Sequence, residues 1–205
     1  MARAKLSKAL KNDYVQTAIL GIILVGGVFA IGFGLKVAFR TEYPLLAVAS
    51  GSMIPTLNVG DLIVVQGVPD ANEINAAPRP NGTMIVFYRP NYPRNGGFLF
   101  QTGDELIVHR VIAKVEDNGT LYFQTKGDNN FGPDYWGDTP PDTLDGMISS
   151  KLLVGKVVSV VPWIGNVPLF IRTPLGMVLF ILLILIIILA EFIPFLSKKR
   201  TTTQE

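Results

Sequence analysis

The stretch LIVHRVIAKVEDNGTLYFQTK, residues 106–126, decides the fold class. Residues 106–115 are dominated by β-branched and apolar side chains. They end on the turn Asp117-Asn118-Gly119, and residues 121–126 resume the β pattern at once. Two such runs around an Asn-Gly turn predict an antiparallel hairpin. Outward from it lie shorter runs of the same kind at 61–65, 83–88 and 152–161, the last with Gly155 as a candidate bulge. The Gly-, Pro- and Asn-rich stretches 67–80, 91–97 and 129–141 are expected to be loops, not helices. Residues 39–172 are therefore expected to form one mainly β domain.

Two hydrophobic segments flank that domain and account for an apolar fraction of 49% in 205 residues. Residues 15–35 carry no charge, and a bilayer core needs about 20 such residues. The second segment covers 173–190 and continues past Glu191 to Leu196. Pro174 suits the first turn of a helix. Transmembrane helices are thus expected at 15–38 and 173–196. Arg3, Lys5, Lys8 and Lys11 precede the first, and Lys198, Lys199 and Arg200 follow the second. Positive-inside bias places the segments 1–14 and 197–205 in the cytoplasm and the β domain on the far side. Trp163 suits a membrane interface. A cleavable signal peptide is the alternative for the N-terminus, with Ala47-Val48-Ala49 as its cleavage motif. The length of the apolar run, and Lys36, Arg40 and Glu42 after it, favour a retained anchor.

Net charge is only +2, which makes no case for a nucleic-acid partner. The absence of cysteine excludes disulfides, thiolate metal sites and a Cys nucleophile. One histidine, His109, excludes a multi-His metal site, and any catalytic imidazole must be that one. In strand alternation His109 shares a face with Ile107 and Val111 and points away from Arg110. Apolar burial there disfavours imidazolium and suits a general base. A core histidine satisfied by one backbone bond is the competing reading. Ser50-Gly51-Ser52-Met53-Ile54-Pro55-Thr56 can hold Ser52 exposed in a stiff turn, with its N–H aimed at an oxyanion and the Ser50 hydroxyl beside it. On local composition alone, a linker turn after an anchor fits this stretch better. Either Asp128 or Asp134 could orient the imidazole, and Asp138, Asp142 and Asp145 follow in the same loop region. Asn81-Gly82-Thr83 and Asn118-Gly119-Thr120 fit the N-glycosylation pattern, and both are equally good turns.

Together these residues resemble type I signal peptidases, in the branch found in archaea and the endoplasmic reticulum. The resemblance rests on residues 50–56, then Gly60-Asp61-Leu62-Ile63, His109-Arg110-Val111, Lys126-Gly127-Asp128-Asn129-Asn130, and Gly155-Lys156-Val157 leading to Val161-Pro162-Trp163-Ile164-Gly165. It implies a β-rich catalytic domain on the outer leaflet, a Ser52–His109–Asp134 triad supported by Asp128, and an oxyanion hole from Ser50 and the Ser52 amide. Histidine at 109 separates the chain from the bacterial Ser-Lys branch. Ile54 stands where glutamate is frequent, with a packing or membrane-facing effect expected. No metal or organic cofactor is implied. The implied partners are signal-peptide-bearing preproteins, the lipid bilayer and the Sec translocon. The implied location is the cell membrane, with the endoplasmic reticulum membrane as the alternative. Another Ser-dependent membrane peptidase and a non-catalytic membrane adaptor are the competing functions.

Overall fold

A computed structural model describes residues 13–90 and 105–201 of the chain. The basic flank Arg3, Lys5, Lys8 and Lys11, the expected loop at 91–97 and residues 202–205 lie outside the described residues. Helix α1 (Asp13–Phe39) opens the chain. An eight-stranded antiparallel sheet follows: β1 (Leu45–Ala47), β2 (Leu62–Gln66), β3 (Met84–Tyr88), β4 (Leu106–Asp117), β5 (Thr120–Lys126), β6 (Thr143–Leu144), β7 (Met147–Ser149) and β8 (Leu153–Val161). A short helix α2 (Asn166–Ile171) leads to α3 (Pro174–Thr201). Strand order across the sheet is β1-β2-β8-β3-β4-β5-β7-β6.

The hairpin forms as expected. Asn118 and Gly119 both take positive φ, 47° and 73°, which a two-residue type I′ turn requires. The five runs read from the sequence appear as β2, β3, β4, β5 and β8. Three short strands were not anticipated: β1, β6 and β7, of two or three residues each, too short to show a period. The expected loop 67–80 also holds one 3₁₀ turn, Ala71–Glu73, because Asp70 caps it by accepting from the Asn72 N–H. Strand β1 pairs with β2, with Ala47 opposite Leu62, and Val48 is buried in the core. Part of the supposed cleavage motif is thus built into the sheet.

Two apolar clusters use the two faces of the sheet. Ile85, Phe87, Val111 and Phe123 pack with Ile74, Ile148 and Leu152 on one. Val86, Ile63 and Val65 pack with Val48, Met53 and Leu57 on the other. The residues at the two boxes Gly60-Asp61 and Gly165-Asn166 interlock. A Cβ on Gly165 would sit 2.4 Å from the Asp61 carbonyl oxygen, and one on Gly60 would sit 2.3 Å from the Asn166 side chain. Close backbone approach is the reason for glycine at 165, and at 60 it is a φ of 91° beside the packed Asn166 side chain. The bulge suspected at Gly155 lies beside it: Val86 pairs with Gly155 and Phe87 with Leu153, leaving Val154 as the extra residue.

Helix α1 contains Ile19–Phe39, 21 residues of mean hydropathy 2.2, long and apolar enough to cross a membrane. Its end is tied to the β domain. Thr41 N–H reaches back to the Lys36 carbonyl, Arg40 takes φ 52°, and Gly67 N–H donates to the Phe39 carbonyl at 2.8 Å. Helix α3 runs unbroken from Pro174 to Thr201, past the expected limit at 196. Its apolar part, Pro174–Ala190, is shorter than that of α1.

Candidate active site

The site is built where β4 begins and β5 ends, against the turn at 50–57. On β4, Ile85 pairs opposite His109 and Met84 opposite Arg110. Successive side chains leave opposite faces of a strand, so His109 and Arg110 enter different clusters, as alternation implied. Both are buried, at 6% and 3% exposure. Thr125 on β5 lies opposite Val111 and so shares the His109 face.

Asp134 reaches that face from the loop after β5. Its N–H donates to the Thr125 carbonyl at 2.8 Å, and its carbonyl accepts from Gln124 Nε2 at 2.6 Å. The loop backbone therefore continues along the free edge of β5. This holds Asp134 Oδ2 2.5 Å from His109 Nδ1. Thr125 Oγ1 also donates to that oxygen, at 2.8 Å, and Asn130 Nδ2 donates to Oδ1 at 3.3 Å. With a carboxylate at Nδ1, the ring carries its proton there and leaves Nε2 as the basic atom.

Asp128 takes another partner. Arg110 Nε and Nη2 donate to its two oxygens at 2.8 and 2.6 Å, and Thr56 Oγ1 donates to Oδ2 at 2.5 Å. Arg110 Nη1 also donates to the carbonyls of Pro80 and Gly82. Of the two aspartates the sequence left open, the structure brings Asp134 to the imidazole and Asp128 to the guanidinium. An arginine inside an apolar strand calls for a buried carboxylate partner but does not say which aspartate supplies it.

The turn at 50–57 is seated by its apolar members. Met53 and Leu57 are fully buried, and Leu57 N–H closes the turn onto the Met53 carbonyl at 3.0 Å. Ile54 is 37% exposed. The loop after β5 grips the turn from the other side. Asn129 N–H donates to the Ser52 carbonyl at 2.9 Å, and Asn129 Nδ2 donates to the Gly51 carbonyl at 3.2 Å. Gly127 faces the Ser52 carbonyl, and a Cβ there would lie 2.7 Å from it. Ser50 Oγ and Ser52 Oγ are 3.4 Å apart. Among the described residues, Ser52 Oγ makes no hydrogen bond to His109. Thr56, Thr125, Asn129, Asn130 and Trp136 were given no role from the sequence, because each acts through contacts that only the folded loops and strands create. Among the described residues, no cluster of His, Cys, Asp or Glu could hold a metal ion.

No family model matches the chain. It is 33% identical over 92 residues to signal peptidase I W of Bacillus subtilis, a match covering 45% of this chain and 40% of that protein. It is 32% identical over 126 residues to the signal peptidase complex catalytic subunit SEC11C of Homo sapiens, 61% of this chain and 57% of that one. With the signal peptidase complex catalytic subunit SEC11 of Tuber melanosporum it shares 31% over 171 residues, 77% of this chain and 80% of that one. The chain belongs to the type I signal peptidase family, in its eukaryotic-type branch. It spans 40% and 57% of the lengths of the first two relatives.

In this member of the signal peptidase family both aspartates are held charged. Burial alone would push the Asp128 carboxyl up. Hydrogen bonds from Arg110 and Thr56, with the positive charges of Arg110 and Arg79, outweigh it and hold the group below its ordinary range. Burial likewise opposes ionisation of Asp134. Hydrogen bonding and charge from His109, and hydrogen bonds from Thr125 and Asn130, win there too. A carboxylate depressed in the folded state stabilises the fold fully above its unfolded value, about 3.9. That contribution is lost as pH falls through the lower folded value. Thermal unfolding midpoints are therefore expected to drop steeply below about pH 4. Asp128→Asn should flatten the drop; an unchanged slope would assign the acid sensitivity to other groups.

Proposed function

We propose that this chain is a membrane-bound serine endopeptidase that cleaves signal peptides from preproteins. The observation that carries the reading is the buried His109–Asp134 pair, 2.5 Å apart, with Asp134 on the loop whose backbone also grips Ser52. Ser52 is the nucleophile and His109 the base. Asp134 holds the Nδ1–H tautomer, and Asp128 with Arg110 supports the loop. Such nucleophile–base contacts tighten with substrate in place. Ser52 Oγ attacks the scissile carbonyl carbon while His109 Nε2 takes its proton. The Ser52 N–H and the Ser50 hydroxyl stabilise the oxyanion, each donor contributing about 3 kcal/mol. His109 returns the proton to the leaving amine, and water activated by the same nitrogen hydrolyses the acyl-enzyme.

Helix α1 anchors the enzyme, and α3 forms a second span with both termini in the cytoplasm of a cell-membrane enzyme. Anchoring beside the translocon raises the effective concentration of emerging signal peptides. Specificity for small residues one and three positions before the cut is part of this reading. A preprotein processing assay with the purified full chain in detergent or vesicles tests it. Cleavage is expected after the signal peptide, and a bulky residue placed directly before the cut should block it. Cleavage at unrelated sites would indicate a different peptidase, and no cleavage a non-catalytic adaptor.

A further inference from the structure

Asp134 is not the last member of the hydrogen-bonded chain that begins at His109. Thr125 Oγ1 touches the same carboxylate oxygen as His109 Nδ1, at 2.8 Å. Behind it, Trp136 Nε1 meets Thr125 Oγ1 at 3.0 Å. An indole N–H can only donate, and a hydroxyl has a single proton to give. Thr125 must therefore accept from Trp136, and its own proton is directed at Asp134 Oδ2. Both groups are fixed. Thr125 is fully buried, and the Trp136 ring packs edge-on against buried Phe87 with centroids 5.6 Å apart. The Trp136 N–H is further held to the turn of the β6–β7 hairpin, donating to the Gly146 carbonyl at 3.1 Å through its main chain.

We infer that Thr125 is a positioning residue for the His109–Asp134 pair, and that Trp136 sets the direction of its hydroxyl proton. The inference rests on the Ser-His-Asp reading above. Asp134 Oδ2 has two donors in fixed positions, so the carboxylate cannot rotate away from the ring, and the ring is held in the Nδ1–H tautomer with Nε2 free for Ser52. The Thr125 donor also draws negative charge away from the imidazole. Without it, the carboxylate accepts more strongly from Nδ1–H and favours the imidazolium. Three further charged groups stay elsewhere: Arg110 and Asp128 form their own pair on the opposite face of β4, and Lys126 lies opposite Arg110.

The chain has a single histidine, so selective ¹⁵N-histidine labelling reads one imidazole with no assignment problem. The expected wild-type spectrum at neutral pH is the Nδ1–H tautomer. Thr125→Val should give a mixed or imidazolium-shifted spectrum, and Thr125→Ser should restore the wild-type one. In the processing assay Thr125→Val should lower kcat about 10- to 100-fold, the range of one hydrogen bond to a charged group. KM should stay near wild type, and the acid limb of the pH profile should move to higher pH. Trp136→Phe should move the limb in the same direction by less, and it decides alone if Thr125→Val does not fold. A wild-type spectrum and acid limb in these variants overturns the inference, whatever happens to the rate. If Ser52→Ala or His109→Ala cleaves normally, the catalytic reading fails first and this one with it. If both are inactive while Thr125→Val and Trp136→Phe match wild type, only the Thr125 inference falls.

Discussion

Ser52→Ala is expected to reduce preprotein cleavage by about 10,000-fold or more, with the protein still folded. Ser52 is the only hydroxyl in the turn whose backbone is bound on its carbonyl side by the loop bearing Asp134. Its own Oγ meets Ser50 alone among the described side chains. Removing one oxygen from such a half-exposed position leaves Met53 and Leu57 in the core, so stability should stay within about 0.5 kcal/mol. His109→Ala should be as inactive, because members of a catalytic unit are not additive. Asp134→Asn should cost about 10,000-fold by favouring the wrong tautomer. Asp128→Asn should lose mainly stability. Cleavage rates and unfolding midpoints measured on the same four preparations separate these roles. Normal cleavage by Ser52→Ala, or greater inactivation by Asp128→Asn than by Asp134→Asn, would refute the assignment.

Arg110→Met is expected to destabilise the domain by about 3–5 kcal/mol. The substitution preserves volume but leaves the Asp128 carboxylate buried, its side chain 3% exposed, with Thr56 as its one remaining hydroxyl donor. The carbonyls of Pro80 and Gly82 lose a charged donor as well. The large effect comes from the uncompensated charge more than from the worth of the pair. Arg110→Met combined with Asp128→Leu should therefore recover part of the loss, a coupling that a double-mutant cycle measures by denaturant unfolding in micelles. Additive losses would mean that the two residues act independently. Because Asp128 belongs to the loop that grips Ser52, the single variant should also cleave poorly. The double variant tells whether the ion pair or only a well-packed loop is needed.

Much of this architecture was legible along the chain. The hairpin followed from Asn118-Gly119 between two β-rich runs, since Asn-Gly tolerates the two positive φ values of a tight type I′ turn. The apolar length of α1 followed from an uncharged run that has nothing else to bury it. The opposite faces of His109 and Arg110 followed from the two-residue period of a strand. Short strands such as β1 and β6 escaped, because two or three residues carry no period and pair only when a partner edge is offered.

The residue types needed for the proposed chemistry, one serine turn, one histidine and two aspartates six residues apart, stand in the sequence by themselves. Which aspartate meets the histidine does not, because Asp128 and Asp134 share a loop and a charge and differ only in where the chain carries them. Tertiary structure decided it. Arg110 and Thr56 claim Asp128 on one face of β4, and the free edge of β5 carries Asp134 to the other, where Thr125 and Trp136 complete its surroundings. A carboxylate's role is set by the donors around it, and those donors come from strands and loops far apart in the chain.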